Sequence, residues 1–357
     1  MPEDAVVGAS ELARHIQTFL VSGSGDFESL ALAVFQYQFT YNLPYRRFCT
    51  GRGIDPDAVR SWREIPPAPA AAFKQFALTC VPLETCTPVH GGRTFHSSGT
   101  TGNETSKHYM DAPALDCYRT SLHNGFIRFV GKRELPLPVY ALMPAPEDAP
   151  HSSLSFMAAE LIATHGGRFY WGDTLFSDVA QCFRTLSEPA VVFGTAFAFV
   201  NFFDRVSETF ALPPGSIVIE TGGFKGRSRE IPREELYRLF SERFGVPAQS
   251  CLAEYGMSEM ASQFYSLADL PKQGPPWVRT RVIDPVTGDD AAPGTPGLLT
   301  HYDLANLNSV LAIQTEDMGV FADYGSTGFT LLGRAPGAVL RGCSLTAEEF
   351  AAAVSRK

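Results

Sequence analysis

Between residues 216 and 256 a strand, a helix and a second strand follow one another, and this order constrains the fold more than any other feature. In the helical part, Leu236, Phe240 and Phe244 recur every four residues, and Gly245 predicts its end. Parallel strands need a crossover of this kind, so the sequence predicts a βαβ unit in a parallel sheet. The three segments are SIVIET (216–221), PREELYRLFSERFG (232–245) and SCLAEYG (250–256).

The remaining segments extend this α/β prediction in both directions. The apolar runs LPVYALM and PAVVFG predict two more buried strands. In the N-terminal part, apolar spacing predicts helices, the first capped by Ser10 and the second ended by Pro44. Short strands and turns follow the core, and a capping box of Thr346 and Glu349 predicts a short C-terminal helix. The predicted regions are a helical region (1–90), an α/β core (91–285), a β-rich subdomain (286–342) and a C-terminal tail (343–357).

Charge and hydropathy exclude several classes of partner. A formal net charge of −9 argues against binding to nucleic acid or to an anionic membrane. No apolar run reaches the roughly 18 residues that a spanning helix needs. The N-terminus is acidic and has no basic, then apolar, export signal. We therefore expect a cytoplasmic protein without a membrane span.

The seven cysteines are odd in number and scattered, and neither CxxC nor HExxH occurs. A zinc site and a disulfide framework are therefore not predicted. We expect most of these cysteines to be reduced, buried thiols.

The segment FHSSGTTGNETSKHYMD (95–111) concentrates hydroxyl groups and glycines ahead of Lys107. Such residues suit a loop that lies against phosphate, because glycine allows close approach of the backbone and hydroxyls add donors. Composition leaves an exposed polar turn equally open. The residues concerned are Ser97, Ser98, Gly99, Thr100, Thr101 and Gly102.

This segment resembles the signature loop of adenylate-forming enzymes, the superfamily of acyl-CoA synthetases and adenylation domains. Lys107 is a candidate catalytic residue that could reach a phosphate oxygen as a point charge. It comes later than the lysine of that signature, and a proline is missing. Further motifs of the superfamily follow in the expected order: ETGGFKGRS (220–228), AEYGMSEM (253–260), TEDMG (315–319) and LLGR (331–334). The resemblance implies a large α/β domain with parallel sheets flanked by helices, and a small β-rich subdomain.

The resemblance also implies roles for the motif residues. Gly222 and Gly223 would lie against adenine, Tyr255 in the motif with Gly256 and Ser258 would pack on the nucleotide, and Glu259 would hold Mg²⁺. Asp317 would bind the ribose hydroxyls, and Arg334 would occupy the hinge. Each residue also has an ordinary alternative: a core aromatic for Tyr255, a helix-start carboxylate for Glu259 and a turn residue for Asp317.

Only 23 residues follow Arg334, so the further domain that carries a catalytic lysine in typical members has no room. The shortened ending resembles the LuxE-type acyl-protein synthetases, through HSSGTTG…SKH, GGFKGRSRE, YGMSEM and GRAPGAVLRGCSL. The resemblance implies that Cys343 accepts the acyl group. Arg341 would favour its thiolate form, and a buried structural cysteine is the alternative.

The acyl pocket is the part that the sequence defines least. Phe193, Gly194 and Thr195 lie where a predicted strand ends, at the ligand-facing edge of an α/β sheet. The phenylalanines of FGTAFAFVNFF (193–203) are predicted mainly as helix core. His151 either faces the substrate carboxylate or lies in a polar turn.

Together these features predict ATP- and Mg²⁺-dependent activation of a fatty or aromatic carboxylic acid as acyl-AMP. Transfer to Cys343 would follow, and then transfer to a partner thiol: CoA, a phosphopantetheine, or an acyl-accepting reductase or acyl carrier protein. Three alternatives remain open. They are an acyltransferase that moves an acyl group from acyl-CoA through Cys343, a phenylacetate-type acyl-CoA ligase, and a non-catalytic nucleotide-binding subunit.

Overall fold

The structure is a computed structural model of the 357-residue chain. It describes residues 3–97, 105–131, 137–172, 174–222, 231–267, 270–323, 327–336 and 347–355, with side chains from residue 9 onward. The predicted site residues outside these ranges are Ser98, Gly99, Thr100, Thr101, Gly102, Gly223 and Cys343.

Helices and strands alternate through the middle of the chain, as predicted. The helices are α1 (Glu3–Ser22), α2 (Phe27–Tyr41), α3 (Leu43–Gly51), α4 (Ala72–Gln75), α5 (Ala112–Val130), α6 (Ser153–His165), α7 (Leu175–Thr185), α8 (Ala196–Arg205), α9 (Arg233–Phe244) and α10 (347–355). The strands are β1 (Ala68–Pro69), β2 (Arg93–His96), β3 (Lys107–Met110), β4 (Val139–Leu142), β5 (Gly167–Phe169), β6 (Val191–Thr195), β7 (Ile217–Thr221), β8 (Cys251–Tyr255), β9 (Phe264–Leu267), β10 (Val278–Ile283), β11 (Gly297–Asp303), β12 (Ala312–Phe321) and β13 (Phe329–Arg334).

The chain divides into two compact units. The first unit comprises 1–128, 257–263 and 271–357, and the second comprises 129–256 and 264–270. The chain therefore leaves the first unit near the end of α5 and returns to it briefly through 257–263. The domain boundaries given above from the sequence alone stay predictions.

The second unit is built on one sheet with the strand order β5-β4-β6-β7-β8-β9. The strands from β5 to β8 pair in parallel, and β9 joins the edge antiparallel to β8. The four predicted core strands and the βαβ unit are confirmed. Gly245 ends α9 with φ of +68°, a left-handed conformation that glycine adopts without strain.

Phenylalanines fill the space between this sheet and its helices. Phe199 and Phe202 of α8 are fully buried and belong to one apolar cluster with Phe240 and Phe244 of α9. The rings of Phe199 and Phe240 meet edge to face at 4.8 Å. Most rings of FGTAFAFVNFF are therefore core, as predicted.

The first unit contains a mainly antiparallel sheet, in which β10, β11, β12 and β13 pair in sequence order and β1 pairs in parallel with β12. This confirms the β-rich part. Strand β1 lies within the proline-rich segment REIPPAPAAAF (63–73). A separate hairpin, β2–β3, carries the hydroxyl-rich segment between its strands.

The N-terminal helices depart from the prediction at one end. The prediction that Ser10 caps the first helix is wrong, because α1 begins at Glu3. As predicted, α2 ends before Pro44, and the proline then lies in the first turn of α3, where its missing N–H costs nothing.

The C-terminal helix α10 packs against α3. Phe350 is fully buried and stacks on Phe48 at 4.6 Å between ring centres. Arg47 Nη1 donates to the Val354 carbonyl at 2.7 Å, in the last turn of α10. Of the predicted capping box, Thr346 lies outside the described residues, and the Glu349 carboxylate forms an ion pair with Arg52 at 2.8 Å.

Among the residues that the structure describes, no helix is both long enough and apolar enough to cross a bilayer. The cytoplasmic location stays a prediction.

Candidate active site

Three parallel strands of the second unit end side by side. In the sheet register, Thr195 of β6 lies opposite Thr221 of β7, which lies opposite Glu254 of β8. Gly222 and Tyr255 come directly after Thr221 and Glu254. The carboxyl ends of parallel strands are where α/β sheets bind ligands. The predicted residues Thr195, Gly222 and Tyr255 therefore meet at one edge of this sheet.

Hydrogen bonds fix this edge from within the unit. Thr221 Oγ1 donates to the buried Glu254 carboxylate. Glu220, one residue earlier, forms an ion pair with Arg233 of α9 at 3.1 Å. Both carboxylates lie in quoted motif segments, but neither was predicted as a site residue.

The predicted acyl-binding residues differ in exposure. The Phe193 ring is 1% exposed and lies in the core, and a side chain on Gly194 would meet Leu142 and Phe199 at 3.2 Å. Thr195 caps α8, with Oγ1 accepting the Ala198 amide at 3.1 Å. The role of these residues in binding stays a prediction.

Distinct environments surround the predicted substrate residue His151 and the predicted nucleotide-binding residues Gly222 and Tyr255. His151 lies exposed in a turn ahead of α6. Gly222 has φ of +65°, which favours glycine there. The Tyr255 ring is 9% exposed and lies 5.9 Å from the Phe264 ring, so it also serves as a core aromatic.

In the first unit, paired serines close the base of the β2–β3 hairpin. The Ser97 amide donates to the Ser106 carbonyl at 3.0 Å, and the Ser106 amide donates to Ser97 Oγ at 3.0 Å. The hydroxyl-rich residues 98–102 lie within the segment that these two serines bracket. Ser97 is therefore part of the frame of the predicted phosphate loop.

The 257–263 segment docks on this hairpin. His108 Nδ1 donates to the Ser258 carbonyl at 2.8 Å, and Ser258 Oγ donates to the His96 carbonyl at 3.4 Å. Burial lowers the pKa of His108 to about 4, so the ring is neutral at pH 7. Since a carbonyl only accepts, its proton resides on Nδ1. The predicted motif residue Ser258 thus meets the predicted phosphate hairpin.

Glu259 lies buried beside the same hairpin. Burial raises the pKa of its carboxyl group above the ordinary value. A hydrogen bond from the Ser106 side chain opposes that rise, as do the positive charges of Arg334 and Lys74. The Glu259 carboxylate is therefore held by a hydrogen bond and largely shielded from water.

Two lysines, Lys107 of β3 and Lys74 of α4, lie on elements near this site. Ser106, His108 and Met110 are buried on one face of the strand, and Lys107 is exposed on the other. Lys74 belongs to α4, where its neighbour Phe73 meets the His108 ring edge to face at 5.9 Å. The structure thus brings the Lys74 charge toward Glu259. The role predicted for Lys107 stays a prediction.

Asp317 and Arg334 lie opposite each other on β12 and β13. Arg334 Nε is 3.4 Å from Asp317 Oδ1, and Nη1 donates to Glu316. Thr315 Oγ1 accepts the Asp317 amide at 3.0 Å. The two predicted residues are therefore neighbours. The hydrogen bond from its amide to Thr315 fixes the backbone of Asp317, and its carboxylate is half-buried.

Sequence reasoning missed Ser106, His108 and Lys74. Ser106 and His108 contact 258–259 about 150 positions away, and the charge of Lys74 acts on Glu259 from farther still along the chain. No local pattern predicts such interactions. The only available signal was the SKH triplet, which resembles the family signature without showing which side chains face Glu259.

The donor set fits Mg²⁺ bound together with a nucleotide. Within the described residues, no group of three or more His, Cys, Asp or Glu residues could hold a metal ion. Mg²⁺, however, is usually bound through one or two carboxylates together with substrate phosphates. A single buried carboxylate, Glu259, meets that requirement.

Comparison with protein families bears on the predicted resemblance. Residues 176–351 match the family of LuxE acyl-protein synthetases. The LuxE-type resemblance is thereby confirmed. The matched range contains Tyr255, Glu259, Asp317 and Cys343, and it begins after the SSGTTG segment.

Comparison with individual proteins extends the likeness to nearly the whole chain. The long-chain-fatty-acid–luciferin-component ligase of Vibrio harveyi is 22% identical over 353 residues, which cover 89% of this chain and 86% of that ligase.

Solved structures of 2-hydroxyisobutyryl-CoA ligase share the fold. An open form with 2-HIB-AMP and CoA has a TM-score of 0.64 at 13% identity, covering 86% of this chain and 69% of the ligase. The thioesterification form also gives 0.64, at 15% identity, covering 94% and 69%. The predicted adenylate-forming-enzyme-like α/β fold is confirmed.

Proposed function

We propose that this chain is an acid–thiol ligase. It uses ATP to activate a fatty or aromatic carboxylic acid as an acyl adenylate, passes the acyl group to Cys343, and releases it to a partner thiol. The LuxE match and the adenylate-forming fold support acyl activation. The transfer through Cys343 rests on the sequence resemblance.

One observation carries the proposal: the Ser258–Glu259 segment docks on the base of the β2–β3 hairpin. Through this contact the carboxylate predicted to hold Mg²⁺ lies beside Ser106, next to the segment predicted to hold phosphate. Two motifs about 150 residues apart in sequence become one local arrangement. A buried acid with a shifted pKa beside such a segment is typical of a functional site.

In the first step, a carboxylate oxygen of the substrate attacks the α-phosphorus of ATP, and the bond to pyrophosphate breaks. Ser97, Ser98, Thr100, Thr101 and nearby amides hold the phosphates. Mg²⁺ held by Glu259 would offset the negative charge of the phosphate oxygens. Donors fixed by the fold stabilise developing charge without reorganisation, which makes them effective.

The motif residues supply the proposed contacts with the nucleoside. Asp317 accepts hydrogen bonds from the ribose hydroxyls, and Arg334 orients the Asp317 carboxylate through the ion pair described above. Tyr255 packs on the nucleotide, and Gly222 with Gly223 leaves room for adenine. His151, Phe193, Gly194 and Thr195 are proposed on the acyl side.

In the second step, the Cys343 thiolate attacks the acyl carbonyl carbon. A C–S bond forms, the C–O bond to AMP breaks, and the thiol proton passes to solvent. A second thiol, on CoA, a phosphopantetheine or an acyl-accepting protein, then takes the acyl group by thioester exchange and restores the Cys343 thiol.

Exchange of pyrophosphate into ATP, measured with a panel of fatty and aromatic acids, tests the first step. We expect acid-dependent exchange. Glu259→Gln should reduce it by about a hundredfold or more, the scale on which one charge-stabilising group acts. Glu11→Gln is the matched control, because Glu11 is exposed and pairs with Arg14 on the surface of α1.

Absence of exchange with every acid, accompanied by acyl transfer from acyl-CoA, would contradict the ligase and establish the acyltransferase. Nucleotide binding without any turnover would instead establish a non-catalytic subunit.

A further inference from the structure

The connection between β11 and β12 is buried along its whole length. Each of the residues 304–311 is buried. A buried connection must satisfy its backbone N–H and C=O groups inside the protein, because water does not reach them. The partners that do so show what the connection is attached to.

One partner is a glutamine of the second helix. Gln38 of α2 is fully buried; its Nε2 donates to the carbonyls of Asn306 at 2.8 Å and Leu307 at 2.9 Å, and its Oε1 accepts the Leu311 amide at 2.8 Å. A single side chain therefore satisfies three backbone groups. The N-terminal helices thereby fix the connection in place.

The other side of the connection reaches the Glu259 segment. Asn306 Nδ2 donates to the Glu259 carbonyl at 2.9 Å and to the Val310 carbonyl at 3.2 Å. The side-chain oxygen of Asn306, Oδ1, is buried and has no hydrogen-bond partner among the described residues. An unpaired buried acceptor is costly. The amide is thus oriented for its two donor contacts, and a flip would set its oxygen against two carbonyls.

Asp303, at the end of β11, holds the residues that follow Glu259. Its Oδ2 accepts the Ala261 amide at 3.0 Å, and its Oδ1 accepts Ser262 Oγ at 2.7 Å and the Ala305 amide at 3.0 Å. The carboxyl group is fully buried. Backbone and side-chain contacts thus fix 259, 261 and 262 from one direction.

We propose that Gln38, Asp303 and Asn306 form a buried clamp that positions the Glu259 carboxylate. The inference rests on the proposed function, in which Glu259 holds Mg²⁺. A group that binds a metal works only if it is held close to the productive geometry, and neighbours that orient it contribute strongly to affinity. The clamp fixes the backbone of Glu259, while Ser106 fixes its side chain. These are positioning residues, because none of them has to touch the nucleotide.

Asn306→Ala tests the clamp against Asn42→Ala. Both asparagines are buried, and Asn42 Nδ2 donates to the Ser309 carbonyl of the same connection at 3.0 Å. In Asn306→Ala we expect amides of 257–263 to exchange hydrogen about tenfold faster, the effect of one hydrogen bond. The Mg²⁺-dependent part of ATP binding, measured by calorimetry, should weaken by about tenfold or more. Asn42→Ala should lower stability and leave both readings unchanged.

Equal effects of the two variants on both readings would overturn the clamp and leave a purely structural loop. Should Asn306→Ala not fold, Asp303→Asn replaces it: the carboxamide keeps the volume and loses one acceptor, so the Ala261 amide should exchange faster. Unchanged exchange there would overturn the clamp. If the unaltered protein bound no nucleotide, the proposed function would fail, and the exchange reading would still decide for or against the clamp.

Discussion

At Asp303, burial and hydrogen bonding act in opposite directions on one carboxyl group. Removal from water raises the pKa of Asp303 from 3.8 to about 6, although Ser262, Ala305 and Ala261 donate to it and oppose the rise. The folded state therefore retains this proton at pH values where the unfolded chain has lost it. The group stabilises the fold less as pH rises.

The resulting pH dependence can be measured with Asp303→Asn. A change from 3.8 to about 6 corresponds to roughly 3 kcal/mol. Relative to this variant, the free energy of unfolding of the unaltered protein should fall by about that amount between pH 4 and pH 7. Chemical denaturation at a series of pH values measures the difference.

Asp26 serves as the control of opposite sign. It caps α2, and hydrogen bonds from Ser29 lower its pKa below 3.8. Relative to Asp26→Asn, the unaltered protein should therefore lose stability as pH falls below 3.8, and the difference should stay nearly constant between pH 4 and pH 7. A difference between the unaltered protein and Asp303→Asn that stays constant from pH 4 to pH 7 would contradict the account of Asp303.

The limits of sequence reasoning are visible among the same residues. Glu259 and Asp317 lie in local motifs, so their candidacy follows from a few adjacent letters. Asn306 and Gln38 carry no such mark, since a buried amide is recognised only by the distant backbone groups it satisfies. Residues that support a site through long-range contacts therefore escaped prediction.

At the scale of elements, α10 is the helix whose attachment is easiest to test. Phe350→Ala removes the ring that stacks on Phe48 and lies 5.5 Å from Phe76. Loss of a buried phenylalanine costs about 3–5 kcal/mol. We expect α10 to detach locally, and amide hydrogen exchange of 347–355 to approach that of an unfolded peptide.

Glu349→Gln is the matched control for this helix. It removes only the ion pair with Arg52, in which the Glu349 side chain is 63% exposed, and such pairs contribute about 1 kcal/mol or less. Exchange in 347–355 should barely change. If Phe350→Ala behaved like Glu349→Gln, the stacking would not be what holds α10.

Elements with a strong period were predicted well, and those without one were not. Strands β4, β6, β7 and β8 follow directly from apolar runs, and α9 follows from a four-residue repeat. The parallel edge strand β5 was not predicted. The two-residue strand β1 has no period at all, and its pairing with β12 depends on a partner more than 200 residues away. The start of α1 was misplaced, because a serine that could cap a helix also fits inside one.

At the scale of the whole molecule, one short motif belongs to both compact units. Tyr255 and Gly256 end a stretch of the second unit, and Ser258 and Glu259 belong to the first. The order of motifs along the chain predicted the adenylate-forming fold correctly. The same order does not predict that one motif is divided between two compact units, because that division depends on long-range contacts. The likeness to 2-hydroxyisobutyryl-CoA ligase over 86% of this chain supports the fold at this scale.

The central claim is that an activated acid reaches Cys343. Intact-mass spectrometry after incubation with ATP, Mg²⁺ and a mixture of fatty and aromatic acids tests it most directly, with Cys343→Ser and, as the control, Cys182→Ser at a half-buried thiol. The account predicts an ATP-dependent acyl adduct on the unaltered protein and on Cys182→Ser, and none on Cys343→Ser. An adduct that persists in Cys343→Ser, or thioester product formed at an unchanged rate by that variant, would contradict the claim.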